Sequence, residues 1–297
     1  MKVLITGASG QVGRALQDAI PPGAEVRALT HAQLDISDAT AVRSVLGNFT
    51  PTVVINAAAY TAVDRAESEP AAAEAINAAG PRHLAEAVRD ISGARLLQIS
   101  TDYVFGGRGS APRRPGDPTA PLSAYGRSKL AGERAVLEVL GDRAVVLRTA
   151  WVYAAAGSNF VLTMLRLMRE RGAVRVVSDQ RGSPTAAASV ARALWRSAAL
   201  PEVHGVLHWT DAGTTSWYDF ACAIAADAQT EGLLARAPEV TPITTAEYPT
   251  PAPRPLNSTL DLTASAAQLG LQPVPWRDNL RTTLRALART RQDNLEH

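Results

Sequence analysis

Over the first 150 residues, short apolar runs alternate with stretches whose apolar residues recur at helical spacing. Strands are predicted at Lys2–Thr6, Glu25–Leu29, 52–55, 94–100 and 144–147. Between them lie helices at 12–19, 38–49, 66–91 and Ala124–Leu140, the third broken near Gly80-Pro81. Asp38 suits the N-cap of the second helix, ahead of Ala41, Val42, Val45 and Leu46 at helical spacing. Val53, Val54 and Ile55 form the β-branched run expected of a parallel strand covered on both faces. This order predicts an α/β fold: a Rossmann-type, doubly wound parallel sheet with right-handed crossovers and helices on both faces.

Beyond residue 150 the rhythm loosens. Helices are expected at Phe160–Arg171, 186–198 and 216–228, with strands at 174–177 and 206–209. A Pro-rich stretch occupies 247–255, and 278–290 forms a terminal amphipathic helix with Leu280, Leu284 and Leu287 on one face. The organisation predicted is a dinucleotide-binding domain over 1–150, with returning segments from about 174–200. A smaller α/β substrate-binding domain then takes 151–173 and 201–294. Leu295-Glu296-His297 resembles a tag remnant and is left out of the fold. The Gly107–Pro121 loop follows a strand end, so it suits either a cover over a site or a solvated surface loop.

Composition narrows the function. Thirty basic and 28 acidic side chains give a formal charge of +2, which offers nothing to attract nucleic acid or an acidic membrane. The first apolar run is too short for a signal peptide and ends in glycines, and no stretch approaches the ~20 apolar residues of a membrane span. The single cysteine, Cys222, reads as a small buried hydrophobe in a reducing, cytoplasmic setting. His31, His83, His204, His208 and His297 show no ligand spacing, so no metal is expected. His83 is expected in solvent, Trp195 and Trp276 in the core, and Asp211 and Asp219 without visible partners.

The chemistry starts at Thr6-Gly7-Ala8-Ser9-Gly10-Gln11-Val12-Gly13, which follows a strand and opens a helix. Gly7 permits a tight turn, Gly10 lets the backbone approach a pyrophosphate, and Gly13 allows close packing. The helix N-terminus offers free N–H groups to phosphate. The second strand ends in Thr30-His31, with no carboxylate to bind a ribose 2′-hydroxyl, so NADPH is expected and NADH remains open. Asp35-Ile36 follows shortly and suits either a contact with the adenine or simply an Asp near a helix start. Asn56-Ala57-Ala58-Ala59-Tyr60-Thr61 leaves room for a cofactor against the third strand's end.

The fourth strand ends in Ser100-Thr101, and Tyr125 and Lys129 share one face of the following helix. A carbonyl reductase must protonate the oxygen while hydride reaches the carbon. Tyr125 is the candidate acid, Lys129 the ammonium expected to lower its pKa and hold ribose, and Thr101 the donor to the keto oxygen. Trp151, directly after the fifth strand, is placed to wall off a sugar.

These residues carry a resemblance. The chain is similar to the dTDP-4-dehydrorhamnose reductases, extended short-chain dehydrogenases, over 1–287. The segments are TGASGQVG at 6–13, NAAAYTAVDRAESEP at 56–70, STDYVF at 100–105, YGRSKLAGE at 125–133 and RTAWVY at 148–153. GSNF at 157–160, GSPT at 182–185, WYDFA at 217–221 and YPTPAPRP at 248–255 extend it. The resemblance implies reduction of a C4 keto group on a dTDP-linked 4-keto-6-deoxysugar, dTDP-4-dehydro-L-rhamnose, to dTDP-L-rhamnose for cell-surface polysaccharide. It implies a catalytic set of Thr101, Tyr125 and Lys129. The cofactor would be held by Gly7, Gly10, Gln11, Val12, Asp35, Ile36, Ala59, Tyr60 and Thr61, together with Tyr125 and Lys129. Thr101, Asp102 and Trp151 would hold the sugar and Arg254 the diphosphate; a surface salt bridge is the other reading of Arg254. Some members bind Mg²⁺ between subunits through two glutamates. Ala15 and Ser189 stand near those positions here, so no metal-dependent dimer is expected, only a monomer or weak homodimer. Two alternatives remain: a non-catalytic regulatory subunit resembling that of methionine adenosyltransferase, or a reductase of another dTDP-4-keto-deoxysugar.

Overall fold

The computed structural model describes residues 1–293; the tag-like 295–297 lie outside the described residues. Five strands come from the first half: β1 (Lys2–Thr6), β2 (Glu25–Leu29), β3 (Val53–Asn56), β4 (Arg95–Thr101) and β5 (Ala144–Thr149). Their helices are α1 (Gln11–Asp18), α2 (Ala39–Phe49), α3 (Gly80–Arg89) and α4 (Ala124–Leu140). The second half adds α5 (Phe160–Arg171), β6 (Ala173–Val177), α6 (Ala187–Ala199), β7 (Gly205–His208), α7 (Trp217–Thr230), β8 (Glu239–Ile243) and α8 (Trp276–Asp293).

The main sheet is all parallel, in the order β7-β5-β4-β3-β1-β2. Its direction of growth reverses between β1 and β3, where open α/β sheets place ligands beyond the strands' carboxyl ends. The glycine loop leaves β1 there, and Ala57–Thr61 leaves β3. Val3, Ile5, Ile55 and Leu147 pack one sheet face against α1 and α6. Leu4, Val54 and Leu96 pack the other against α2, α3 and α4. Asp38 caps α2 as expected, accepting the N–H groups of Thr40 at 2.8 Å and Ala41 at 3.0 Å.

The structure differs from the sequence reading in two segments. The 66–91 stretch is not broken at Gly80-Pro81: a π-helical turn, Ala75–Ala79, runs straight into α3. Pro81 has no N–H for the carbonyl of Asn77 four residues back, and a widened turn accommodates that loss. The segment expected to return to the sheet, about 174–200, divides: β6 stays outside and pairs with β8, while α6 packs on the sheet. β7, in the 201–294 stretch expected in the smaller domain, instead extends the main sheet beside β5. Strand-length apolar runs do not reveal their partners, so periodicity alone could not separate β6 from β7. Among the described residues, no helix is long and apolar enough to cross a membrane.

A second core joins α5, α7, α8, β6 and β8 through Val161, Leu165, Phe220, Ile224, Leu280 and Leu284. Trp195 is buried in the sheet core, as expected, and Trp276 packs half-buried against this second one. Cys222 is only half-buried, because its position on α7 faces the rim of that core rather than its centre.

Candidate active site

The glycine loop is shaped by close backbone contacts. Gly7 has φ +67°, and a Cβ there would lie 2.5 Å from the Ala58 nitrogen, so β1's exit and β3's exit touch directly. A Cβ on Gly13 would lie 2.2 Å from the Gly7 carbonyl oxygen, so this glycine seats α1 on the loop itself. α1 begins after Gly10 with no side chain over its N-terminus and no acidic residue in its first turn. That leaves oriented N–H groups with no internal acceptor, a fit for a dinucleotide pyrophosphate. The Gln11 side chain is taken up by a neighbouring loop. Its amide oxygen accepts from Asn159 at 2.9 Å, tying α1 to the 154–159 loop.

Asp35 and Ile36, expected at the adenine end, are held by local contacts. Asp35 accepts from the Ser37 hydroxyl at 2.7 Å and backbone N–H at 2.9 Å, and these bonds lower its pKa. Ile36 is buried against Gly80, and its carbonyl meets His83 Nδ1 at 3.2 Å. His83 is therefore partly buried rather than solvated. Thr30, at the end of β2, is engaged by the Gln33 amide oxygen at 2.9 Å.

Ala59, Tyr60 and Thr61 form the loop beyond β3. Asn77 in the π turn fixes it: Oδ1 accepts the Tyr60 N–H at 2.9 Å and Nδ2 donates to the Tyr60 carbonyl at 3.0 Å. Sequence reasoning missed Asn77; the proline four residues on was the available signal. It also missed three acids within the 56–70 motif. Asp64 pairs with Arg254, Glu67 accepts the first N–H of α4 from Ala124 at 2.7 Å, and Glu69 accepts from the Tyr60 hydroxyl at 2.6 Å.

Thr101 ends β4, and Ser123 caps α4, accepting from Gly126 at 3.1 Å, so that Tyr125 enters the site from the helix's first turn. The Tyr125 ring meets Tyr103 edge-on, centroids 5.5 Å apart. Lys129 is buried one turn further on and donates to the Ile99 carbonyl at 2.7 Å. Burial lowers the Lys129 pKa to about 8, with Glu133 acting in the opposite sense. Burial also raises the Tyr125 phenol well above its usual value, opposed by the Thr101 hydroxyl. The sequence reading expects Lys129 to lower that pKa; in the structure burial is the larger influence, and the Thr101 hydroxyl is what opposes it. The Thr101 hydroxyl lies 2.8 Å from Asp102 Oδ1, and Asp102 is 2% exposed with Oδ2 lacking a hydrogen-bond partner.

Trp151 has φ +49°, a costly conformation for a bulky side chain. It stacks face to face on Trp217, centroids 3.4 Å apart, and lies so close to Gly182 that a Cβ there would collide with its indole. Arg254 donates to Asp64 at 2.7 Å and sits over Tyr103, with Nη1 buried and unpartnered. It lies between two cavities. One, of about 800 Å³, is lined by the loop from Gly106 to Ser110 together with Arg181. The other, of about 880 Å³, combines Trp217, Phe160 and Tyr248 with Arg171, Arg175 and Arg254. The 107–121 loop thus borders a cavity, and Asn257 holds it through the Gly109 carbonyl at 3.0 Å. Asp211 and Asp219 do have partners: Asp211 accepts the Ala186 N–H at 3.0 Å, and Asp219 the Ser216 hydroxyl at 2.7 Å. Among the described residues, no cluster of His, Cys, Asp and Glu has the make-up of a metal site.

Comparison with known proteins agrees with this arrangement. A family model described as the RmlD substrate binding domain matches residues 1–289. The dTDP-4-dehydrorhamnose reductase of Streptomyces griseus is 47% identical over 291 residues, covering 96% of this chain and 93% of that protein. A Streptomyces antibioticus protein described as a probable dTDP-4,6-dihydroxy-2-methyloxan-3-one 4-ketoreductase is 45% identical, with 95% of this chain and 94% of the relative covered. The crystal structure of the Bacillus anthracis dTDP-4-dehydrorhamnose reductase in complex with NADP matches with TM-score 0.89 and 36% identity, covering 95% of this chain and 98% of that one. With a match spanning nearly its whole length, the chain belongs to the RmlD substrate binding domain family.

Proposed function

We propose that this chain is an NADPH-dependent oxidoreductase that reduces the C4 keto group of dTDP-4-dehydro-L-rhamnose to dTDP-L-rhamnose. The observation that carries the reading is the convergence of Thr101, Tyr125 and Lys129 at the carboxyl edge of the sheet, beside a glycine cradle that a single Cβ would fill. When bound, the dihydronicotinamide supplies hydride to the carbonyl carbon.

The chain's own residues then have defined tasks. Gly7, Gly10 and Val12 admit the pyrophosphate to the N-terminus of α1, and Gln11 closes the neighbouring loop. Ala59, Tyr60 and Thr61 line the inner half of the cofactor. Lys129 orients the nicotinamide ribose through its ammonium. Tyr125, kept protonated by burial, gives its phenolic proton to the keto oxygen, and Thr101 holds that oxygen with a hydrogen bond. Asp102 and Trp151 border the sugar. Arg254 meets the diphosphate with its free Nη1 while Asp64 retains Nη2. The cavity beside it, with three arginines and the Trp217, Phe160 and Tyr248 rings, has the chemistry of a nucleoside diphosphate site. The lobe built from α5, β6, α7, β8 and α8 is therefore the substrate side, acting in the cytoplasm on a small molecule.

The antibioticus relative, at 45% identity, favours keeping a second reading: the same chemistry on another dTDP-4-keto-deoxysugar. A coupled assay decides between them. NADPH oxidation with dTDP-4-dehydro-L-rhamnose should proceed with the higher kcat/KM, and faster than with NADH. Turnover only of a different keto sugar would move the substrate. No turnover of either, with dinucleotide still bound, would support the regulatory-subunit alternative.

A further inference from the structure

Hydrogen-bond counting at Thr101 constrains its neighbour. A threonine hydroxyl has one proton and two lone pairs. The Tyr103 N–H, at 3.2 Å, occupies one lone pair. Asp102 Oδ1, at 2.8 Å, occupies another direction. If Asp102 is ionised it can only accept, so it takes the single Thr101 proton, and Thr101 has nothing left for a keto oxygen. If Asp102 carries a proton, it donates to the second lone pair, and the Thr101 proton is free to point into the site, toward the Tyr125 hydroxyl within its reach and the keto oxygen that Tyr125 would protonate.

We propose that Asp102 works as a neutral carboxylic acid, a positioning residue that donates to Thr101 and so directs the threonine's proton to the substrate's keto oxygen. The inference rests on the reductase reading above. Its surroundings support it. Asp102 is 2% exposed, and no salt bridge reaches it among the described residues. Ser258 approaches, but its hydroxyl donates to the Arg181 carbonyl at 3.1 Å, leaving Asp102 Oδ2 buried without a partner. An orphaned carboxylate oxygen is far costlier than an orphaned carbonyl of a neutral acid. The ionisable groups around it are Tyr103 on the same turn, Tyr125 on α4, and Arg254 with Asp64 beyond the Tyr103 ring. Lys129, also on α4, is directed at the Ile99 carbonyl. Burial raises the Asp102 pKa from 3.8 to about 7, outweighing the hydroxyls of Thr101 and Ser258 and the backbone N–H groups of Asp102 and Tyr103, which favour the charged form.

The test compares wild type with Asp102→Asn, whose amide donates at every pH. In wild type, kcat/KM for the keto sugar should fall about tenfold per pH unit above an alkaline limb near neutrality. Asp102→Asn should lose that limb, keeping only a later one near 8 where Lys129 deprotonates, while staying within about tenfold of wild type at the acid end. Asp102→Ala, with no donor, should be slower than Asp102→Asn throughout. A second readout needs no turnover. Wild type binds one more proton folded than unfolded between the ordinary carboxylate pKa and about 7, so its stability should decline relative to Asp102→Asn as pH rises through that range and then level off. A limb near pH 7 that survives in Asp102→Asn, as distinct from one near 8 where Lys129 loses its proton, or a stability difference independent of pH, overturns the proposal. Complete inactivity of wild type at every pH, with the stability difference present, instead sinks the reductase reading and leaves the neutral acid standing.

Discussion

Asn77 grips the peptide of Tyr60 from both sides, accepting its N–H at 2.9 Å and donating to its carbonyl at 3.0 Å. The same Nδ2 lies 3.1 Å from the Ser128 hydroxyl, which in turn donates to the Tyr125 carbonyl at 2.8 Å. One buried amide therefore joins the loop on the cofactor side to the helix carrying Tyr125 and Lys129. Asn77→Ala would leave the Tyr60 groups unsatisfied, at about 1–3 kcal/mol for each buried group. The expected result is a protein less stable by about 3 kcal/mol in urea, with weaker NADPH binding by fluorescence titration. Unchanged affinity would show that the loop holds its shape without this side chain.

Tyr125→Phe separates chemistry from binding. The phenyl ring keeps its edge-on contact with Tyr103, so the packing around it should persist. Losing the acid should lower kcat by at least about 10²-fold, with the Kd for NADPH nearly unaltered. Rapid-quench turnover beside calorimetric titration would check both halves. A variant with full activity would remove Tyr125 from the mechanism.

Trp151 stands at φ +49° with its indole flat on Trp217, an arrangement held by the Trp151 carbonyl accepting from Thr185 at 3.1 Å. A bulky residue in the left-handed region costs about 1–3 kcal/mol, and such strain gathers at ligand sites. Trp151→Gly should relieve that strain, so its loss of stability should fall short of the roughly 3–5 kcal/mol usual for removing a packed aromatic ring. It should at the same time raise KM for the keto sugar by about tenfold, the value of roughly 1.4 kcal/mol of lost contact. A variant with wild-type KM would place the sugar elsewhere.

Much of the sheet was legible because its strands are continuous apolar runs: Val3–Ile5, Val53–Ile55 and Val145–Leu147 need no partner to be read as buried. The glycine loop was legible for a similar reason, since glycine spacing between a strand and a helix is local information. What the sequence hid is information carried by pairs far apart in the chain. Asp64 and Arg254 are separated by 190 residues, and nothing local to either shows that they meet. β6 and β7 are alike as apolar runs, yet one pairs with β8 and the other with β5. The Tyr125–Lys129 spacing suggested an ammonium acting on a phenol, but depth of burial decides both pKa shifts, and depth is a property of the fold.

A buried ion pair lies below the 107–121 loop. Arg148 on β5 donates to both Glu133 oxygens, at 2.9 and 2.7 Å, and to the Pro115 carbonyl at 3.1 Å, while its Nη1 lies 3.5 Å from His208 Nε2. The guanidinium thus ties the loop to the sheet. Glu133→Gln leaves its charge without a counter-ion and should cost about 3–5 kcal/mol. His208 is held neutral: burial first, and then the neighbouring Arg148, lower its pKa from 6.5 to about 4. Because the unfolded chain takes up that proton at a higher pH than the folded one, the contribution is complete above pH 6.5 and is lost as pH falls through about 4. The linkage amounts to about 3 kcal/mol. Urea midpoints measured at intervals across that range should drop more steeply for wild type than for His208→Gln, which keeps polar atoms but cannot titrate. Parallel curves for the two proteins would mean that His208 is not the group whose proton uptake opens this side of the fold.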